Sequence, residues 1–190
     1  MEYILIIISA VFINNIVFAQ FLGVCPFLGV SNKMSTAVGM GGAVLFVITL
    51  ATIITFLVQT YLLDPLGLGY LQTIAFILLI ATLVQVIEVI LKKSSPSLYQ
   101  ALGIFLPLMS TNCAVLGVAI LVIQNDLDLL RAATLAIGTG LSFLFALVVF
   151  TGIREQMDLV GVPKGMKGVP IALVTAGILA LAFMGFSGLV

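Results

Sequence analysis

The stretch Cys25-Pro26-Phe27-Leu28-Gly29-Val30 determines how this chain is organised, because it recurs as Cys113-Ala114-Val115-Leu116-Gly117-Val118. Both segments read Cys-x-x-Leu-Gly-Val, and they begin at residues 25 and 113 of a chain of 190 residues. Self-similarity at a fixed spacing indicates an internal repeat. We therefore predict two halves, residues 1–95 and 96–190, each with one cysteine motif.

The composition places both halves in a membrane. Hydrophobic residues make up 63% of the chain and charged residues only 7%, whereas a soluble domain has roughly 25% charged residues. A helix needs about 20 apolar residues to cross a bilayer. Six charge-free runs reach that length: 3–32, 34–63, 65–87, 94–125, 132–153 and 168–190. The prediction is an all-α polytopic membrane protein with six transmembrane helices.

The repeat and the charges together predict the topology. Three crossings per half is an odd number, so the second half enters the membrane from the opposite side, as in the 3+3 inverted repeats of many transporters. Basic residues mark cytoplasmic connections. Alternate connections hold six of them on one side and only Arg131 on the other, and the six are Lys33, Lys92, Lys93, Arg154, Lys164 and Lys167. We expect a multi-pass protein of the bacterial or archaeal cytoplasmic (inner) membrane with both termini outside the cytoplasm.

The first and fourth helices are predicted to be broken. Their charge-free runs exceed one straight crossing, and residues that interrupt helices cluster beside both cysteines. These residues are Gly23 and Pro26 around Cys25, and Pro107, Thr111 and Asn112 before Cys113. Pro26 suits the first turn of a new half-helix, which would leave the Cys25 sulfur at a helix N-terminus. We expect the half-helices to meet near the midplane.

Several site chemistries are excluded by the residue counts. The chain has no histidine, which rules out histidine-bound haem or zinc, a serine-histidine triad and a histidine relay. Seven basic and seven acidic residues leave no basic surface for nucleic acid. The cysteines remain open to three interpretations: buried apolar side chains, a disulfide, or thiolate ligands of zinc, copper(I) or iron-sulfur. A [2Fe-2S] cluster takes four thiolates, so a second protein or a second copy would have to complete it.

Other polar and small residues allow further predictions. Asn112, beside Cys113, is the preferred candidate for a hydrogen bond to a ligand sulfur, with Pro26, Asn14 and Asn15 as further candidates near the site. For Asn14 and Asn15, helix packing is favoured over a role beside the ligands or in gating. Glu88 is interpreted as an interface pair with Lys92, with an ion site as the alternative. Helix packing is predicted for Ala37, Gly39, Gly41, Gly42, Gly138 and Gly140, and solvated connections for Arg131 and for 154–167.

The chain also resembles a known family. The resemblance is carried by Asn14-Asn15, Phe21-Leu22-Gly23-Val24-Cys25-Pro26-Phe27-Leu28-Gly29-Val30-Ser31, Leu102-Gly103-Ile104-Phe105-Leu106-Pro107-Leu108, Thr111-Asn112-Cys113-Ala114-Val115-Leu116-Gly117-Val118 and the tail 182–190. These segments are similar to the RnfA membrane subunits of the Rnf complex, an ion-translocating ferredoxin:NAD oxidoreductase of prokaryotic membranes. The alternatives are the related NqrE subunits of the sodium-pumping NADH:quinone oxidoreductase and a small inverted-repeat ion transporter.

The resemblance implies a function that the residues alone do not name. Cys25 and Cys113 would supply half the ligands of a [2Fe-2S] cluster within the membrane, and the homologous RnfE subunit, of opposite orientation, would supply the rest. RnfB, RnfC, RnfD and RnfG would be the other partners. The chain would carry electrons across the bilayer, in a complex that couples ferredoxin:NAD oxidoreduction to Na⁺ or H⁺ translocation, and would catalyse nothing alone.

Overall fold

The computed structural model describes residues 2–31, 33–67, 69–94, 106–161, 163 and 165–185. All regular secondary structure in these residues is helical, which confirms the predicted all-α class. The predicted boundary between the halves, at residues 95 and 96, lies outside the described residues, as do Lys164 and the last part of the tail.

Nine α-helices are defined within the described residues. Those before residue 95 are α1 (Glu2–Ile8), α2 (Val24–Val30), α3 (Met34–Val58), α4 (Asp64–Leu66) and α5 (Gln72–Ser94). Helix α1 continues as a π-helical turn, Ser9–Ile13, and α3 as another, Gln59–Leu63, while a 3₁₀ turn at Gly69–Leu71 precedes α5. The later helices are α6 (Leu106–Ser110), α7 (Cys113–Gln124), α8 (Leu129–Val160) and α9 (Val169–Met184).

Each predicted charge-free run contains an apolar helix. Among the described residues, three helical stretches are long and apolar enough to cross a membrane: Met34–Leu63, Gly69–Ile90 and Leu129–Val160. Three shorter apolar stretches fall in the other runs: Tyr3–Ile13, Leu108–Gln124 and Val169–Met184. These lengths and compositions are those of a membrane protein with several apolar helices.

The prediction of broken helices is confirmed for both cysteine-bearing runs. In the first run the helix ends at Ile13 and resumes only at Val24, so the chain between them is non-helical. In the fourth run α6 ends at Ser110 and α7 begins at Cys113. Both cysteines therefore lie in the first helical turn after a break, as the neighbouring helix-breaking residues predicted.

Helices α3 and α8 pack closely through a reciprocal pair of glycines and leucines. A Cβ atom added to Gly41 would lie 3.2 Å from the Cα of Leu144, and one added to Gly140 would lie 2.9 Å from the Cα of Leu45. Since residue numbers rise along α3 as they fall along α8, the two helices are antiparallel. Small residues permit this close approach of backbones, so the packing prediction is confirmed for both glycines.

The other small residues divide into two groups. Ala37 is fully buried, and a Cβ on Gly138 would lie 3.3 Å from the Cα of Ile7 in α1, so both are packing positions. In contrast, no neighbouring element among the described residues has an atom within 4 Å of a Cβ built on Gly39 or Gly42. The packing prediction is wrong for these two positions because Gly42 is exposed and Gly39 lines a cavity between α3 and α5.

Candidate functional site

Cys113 is held at the start of α7 by the residue before it. Asn112 is the N-cap of α7, with extended backbone angles, and its side-chain Oδ1 accepts a hydrogen bond of 3.0 Å from the backbone N–H of Ala114. An N-cap of this kind satisfies one of the N–H groups that a helix leaves unpaired at its start. The side chain of Cys113 is half-buried. The position of its backbone is therefore set by the residues next to it in sequence.

A hydrogen bond joins this segment to the break that precedes Cys25. The backbone N–H of Gly23 donates to Cys113 Sγ over 2.9 Å. Since a chain advances at most about 3.6 Å per residue, the Cys113 sulfur lies within about 12 Å of the Cys25 Cα. The structure therefore brings together two segments that are far apart in sequence. In the sequence, only the repeated motif connects them.

Position 23 requires a glycine for two independent reasons. Its φ of 81° lies in the left-handed region, which L residues other than glycine adopt only at a cost. An added Cβ would also lie 2.7 Å from the Phe143 ring and 3.2 Å from the Ala114 Cβ. The backbone N–H can thus reach Cys113 Sγ because no side chain separates the two segments.

Cys25 is the second residue of α2 and is exposed. Pro26 follows it within the first turn, as predicted, and is buried. The next residue, Phe27, is 1% exposed and packs with its ring centroid 4.3 Å from that of Phe150 in α8 and 5.9 Å from that of Phe18. Aromatic contacts immediately beyond Cys25 thus hold α2 against α8, while the thiol itself remains accessible.

The glycine of each repeated motif faces a leucine from the other cysteine segment. A Cβ on Gly117 would lie 2.6 Å from Leu22 Cδ1, and a Cβ on Gly29 would lie 3.9 Å from Leu108 Cδ2. The motif therefore contains a packing position as well as a cysteine. The repeat identifies these glycines in the sequence but indicates no role for them, because their neighbours come from the opposite half.

Asn15 stabilises the first break. Its side chain is fully buried, with Oδ1 accepting from the N–H groups of Val17 and Phe18 and Nδ2 donating to the Val11 carbonyl. These bonds replace backbone pairing that is lost where the helix stops. These partners all belong to the local backbone, so the bonds show a structural role that the sequence analysis had not named, and the predicted roles of Asn15 stay predictions.

Asn14 has different surroundings. It is exposed, and its Nδ2 lies 3.4 Å from Ser9 Oγ. It lines a cavity of about 580 Å³ together with Gln20, Asn125 and Arg131, at the ends of α1 and α7 and the start of α8. Its predicted role near the cysteine site stays a prediction.

Asn112 retains one unused hydrogen-bonding group. The residue is 3% exposed, and Nδ2 has no partner among the described residues. A buried amide without an acceptor costs about 1–3 kcal/mol, so this group fits a ligand that supplies an acceptor. The predicted bond from Asn112 to a sulfur stays a prediction, and the observed donor to Cys113 Sγ is Gly23.

The thiols are free, so the disulfide interpretation is wrong for this structure. Within the described residues, no group of three or more Cys, Asp or Glu side chains comes together to hold a metal. With two cysteines in its whole sequence, the chain can provide at most two thiolate ligands. Glu88, on α5, is half-buried, and its pairing with Lys92 stays a prediction.

One sequence interpretation is corrected by the contacts of α8. An ordinary solvated connection is predicted for 154–167, but α8 continues to Val160. Arg154 is half-buried and donates to the Leu28 carbonyl and to Ser31 Oγ, and the neighbouring Glu155 accepts from the Met34 N–H. The signal available in the sequence was only the position of an arginine at the end of an apolar run.

Comparisons with known proteins agree with the sequence resemblance. The family model described as "Rnf-Nqr subunit, membrane protein" matches residues 3–190. The A subunit of the Na(+)-translocating ferredoxin:NAD(+) oxidoreductase complex of Acetobacterium woodii is 60% identical over 189 residues, which cover 100% of this chain and 98% of that protein. The A subunit of the ion-translocating oxidoreductase complex of Syntrophotalea carbinolica is 58% identical over 186 residues, covering 98% of this chain and 96% of the relative. The chain therefore belongs to the Rnf-Nqr family of membrane subunits.

Proposed function

We propose that the chain is the RnfA component of an Rnf-type ion-translocating oxidoreductase complex, and that Cys25 and Cys113 are ligands of a [2Fe-2S] cluster shared with a homologous RnfE subunit. The names of the full-length relatives support the first part. The observation that carries the second part is the hydrogen bond from the Gly23 N–H to Cys113 Sγ. This bond joins the first helix break, two residues before Cys25, to the sulfur of Cys113, which begins the helix after the second break.

The residues present suit a thiolate-bound cluster. Each cysteine begins a helical segment after a break, and hydrogen bonds to ligand sulfurs are a means by which proteins tune cluster potential. Gly23 provides such a bond to Cys113 Sγ, and the buried Asn112 Nδ2 is a nearby donor with no partner among the described residues. Two thiolates are half of the four that a [2Fe-2S] cluster takes, so RnfE, in the opposite orientation, would contribute the other two.

The role of the chain in the complex would be electron transfer. When bound, a [2Fe-2S] cluster supplies one-electron chemistry. The chain's own residues would hold the iron through Cys25 and Cys113, stabilise negative charge on Cys113 Sγ through the Gly23 N–H, and surround the site with apolar side chains such as Phe143. Reaction with ferredoxin and NAD would occur on other components, RnfB, RnfC, RnfD and RnfG among them, coupled to Na⁺ or H⁺ translocation.

The same proposal includes six crossings in an inverted repeat. Its support is the antiparallel packing of α3 and α8, the second and fifth predicted crossings, through the reciprocal contacts of Gly41 and Gly140. Equivalent helices of opposite direction are expected when each half has an odd number of crossings. The bonds from Arg154 to Ser31 and from the Met34 N–H to Glu155 also join the two connections that were predicted to share the cytoplasmic side.

Substitution of either cysteine tests the ligand assignment. In the purified complex, Cys25→Ala or Cys113→Ala should remove the iron and sulfide of the membrane cluster and abolish ferredoxin-to-NAD electron transfer, while flavin and ferredoxin-type centres on other subunits persist. Gly42→Ala is the control, because its added methyl group meets no neighbouring element within 4 Å in the part of the chain that the structure describes. Full iron content together with full activity in either cysteine variant would contradict the assignment.

Reporter fusions test the orientation. A reporter fused after Val190 should behave as periplasmic or extracellular, and reporters inserted near Ser95 or Lys164 should behave as cytoplasmic, because short connections follow the positive-inside bias most strongly. The readout is reporter activity in intact cells that contain the assembled complex. A cytoplasmic signal from the C-terminal fusion would contradict either the number of crossings or the assignment of the breaks, and with it the inverted repeat.

A further inference from the structure

Helix α2, which carries Cys25, is too short to be stable alone. It has seven residues, and its N-cap Gly23 makes no side-chain capping bond. Isolated helices of this length are not stable in the absence of tertiary contacts. The position of the Cys25 backbone must therefore be set by the elements that pack against α2.

One face of α8 provides side-chain contacts along the length of α2, in addition to the packing of α6 and α3 against α2. The Phe143 ring lies against Gly23, and the Phe150 ring packs on Phe27. Arg154 donates hydrogen bonds to Leu28 and Ser31. The contacts advance in the same direction along both segments, so α2 and α8 run parallel. Phe150 and Arg154 are four residues apart, which places them on the same face of α8.

Arg154 makes the polar part of this contact. Its Nη1 donates to the Leu28 carbonyl over 3.0 Å and to Ser31 Oγ over 2.7 Å. Leu28 is among the last four residues of α2, whose carbonyls have no partner within the helix, and a cation at this end also complements the helix dipole. The Ser31 side chain is fully buried, so its hydroxyl depends on a partner supplied from within the protein.

Glu155 completes the connection to the next helix. Its Oε1 accepts from the N–H of Met34 over 2.9 Å, the first residue of α3, whose N-cap Lys33 has no side-chain capping bond. One turn of α8 thus places a cation at the C-terminal end of α2 and an anion at the N-terminal end of α3. Both charges match the helix dipole that they meet.

We propose that Arg154 is a positioning residue for Cys25: by binding the C-terminal end of α2 it fixes the helix whose first turn presents the cysteine. The aromatic pair of Phe27 and Phe150 restrains the middle of α2, and Arg154 restrains the end against sliding or fraying. The part of this inference that concerns a cluster rests on the proposed function. The anchoring of α2 does not.

The test compares three variants in the purified intact complex. Arg154→Gln removes the charge and the reach of the guanidinium, Arg154→Lys keeps a cation that can satisfy one acceptor, and Arg131→Gln removes an arginine at the opposite end of α8. The first readout is hydrogen exchange of the backbone amides in residues 24–31. The second is the midpoint potential of the membrane cluster, followed by its paramagnetic signal.

We expect Arg154→Gln to raise exchange in this segment about tenfold or more, because hydrogen bonds to charged groups are the stronger class, and to shift the midpoint potential. Arg154→Lys should restore part of both effects, and Arg131→Gln should change neither. If Arg154→Gln does not assemble, Ser31→Ala should give smaller changes of the same kind, because it removes one acceptor and keeps the other.

The outcomes separate the inference from the proposed function. Unchanged exchange in Arg154→Gln would overturn the anchoring role. Faster exchange with an unchanged midpoint potential would overturn the positioning of Cys25 while leaving the anchor in place. A native complex with no membrane cluster would contradict the proposed function, and the exchange measurement would still decide whether Arg154 holds α2.

Discussion

The two cysteine segments share one motif, but different parts of the molecule support them. Cys113 begins a helix of 12 residues, is half-buried, and follows a two-residue break closed by the Asn112 cap. Cys25 lies on a helix of seven residues, is exposed, and follows a longer break that extends from Asn14 to Gly23. The same motif thus lies in two structural environments that differ in helix length, exposure of the cysteine and length of the preceding break.

The difference shows how the halves depend on each other. The backbone at Cys113 is fixed by its immediate neighbours, while its sulfur receives a hydrogen bond from Gly23 in the other half. The helix that carries Cys25 is contacted by Phe150 and Arg154, which are more than a hundred residues away in sequence. Changes at the contacts between the halves should therefore affect the two cysteines unequally.

The largest effect is expected from Gly23→Ala. The left-handed backbone costs about 1–2 kcal/mol for an L residue, and the contact of 2.7 Å with Phe143 adds about 1–3 kcal/mol of overpacking. We expect the purified complex to unfold at a lower temperature and the Gly23 bond to Cys113 Sγ to be lost. Gly42→Ala, on an open face of α3, is the matched control, and equal thermal midpoints for the two variants would contradict the geometry at Gly23.

A smaller effect should separate the equivalent glycines of the two motifs. Gly117→Ala places a methyl group 2.6 Å from Leu22 Cδ1, whereas Gly29→Ala meets Leu108 at 3.9 Å, an ordinary contact. We expect Gly117→Ala to destabilise by about 1–2 kcal/mol, because a leucine terminus can move in part, and Gly29→Ala to be neutral or slightly stabilising through helix propensity. Thermal unfolding of the two complexes measures the difference. Equal effects would mean that the halves pack symmetrically at this position.

The smallest effect concerns the cap of α7. Asn112→Ala should destabilise by about 1 kcal/mol, the usual value of an N-cap side chain, whereas Asn112→Ser retains an oxygen that can accept from the Ala114 N–H. The serine variant lacks Nδ2, so we expect near-native stability with a lower midpoint potential of the cluster. An unchanged potential in Asn112→Ser would show that the Asn112 amide has no role at the sulfur.

The sequence predicted the helical class, an apolar helix in each charge-free run, the broken segments and the position of Pro26. These predictions succeeded because they depend on local properties, such as the length of a charge-free run or the clustering of helix-breaking residues. The predictions for Gly39 and Gly42 failed, since a glycine in an apolar helix looks the same whether it faces a neighbour or open space. The prediction for Arg154 failed for a related reason, because its acceptors lie more than a hundred residues earlier.

By itself the sequence determined that this chain is a membrane protein with two matching cysteine motifs, because apolar run length, charge placement and repetition can be read without knowing which segments touch. Only the tertiary structure decided that the Gly23 N–H donates to Cys113 Sγ and that Gly41 and Gly140 each pack against a leucine of the opposite helix. It also decided that Arg154 binds the end of α2. Each of these contacts joins residues from different halves. Their geometry depends on the direction and distance at which helices pack, and no local pattern of residues contains that information.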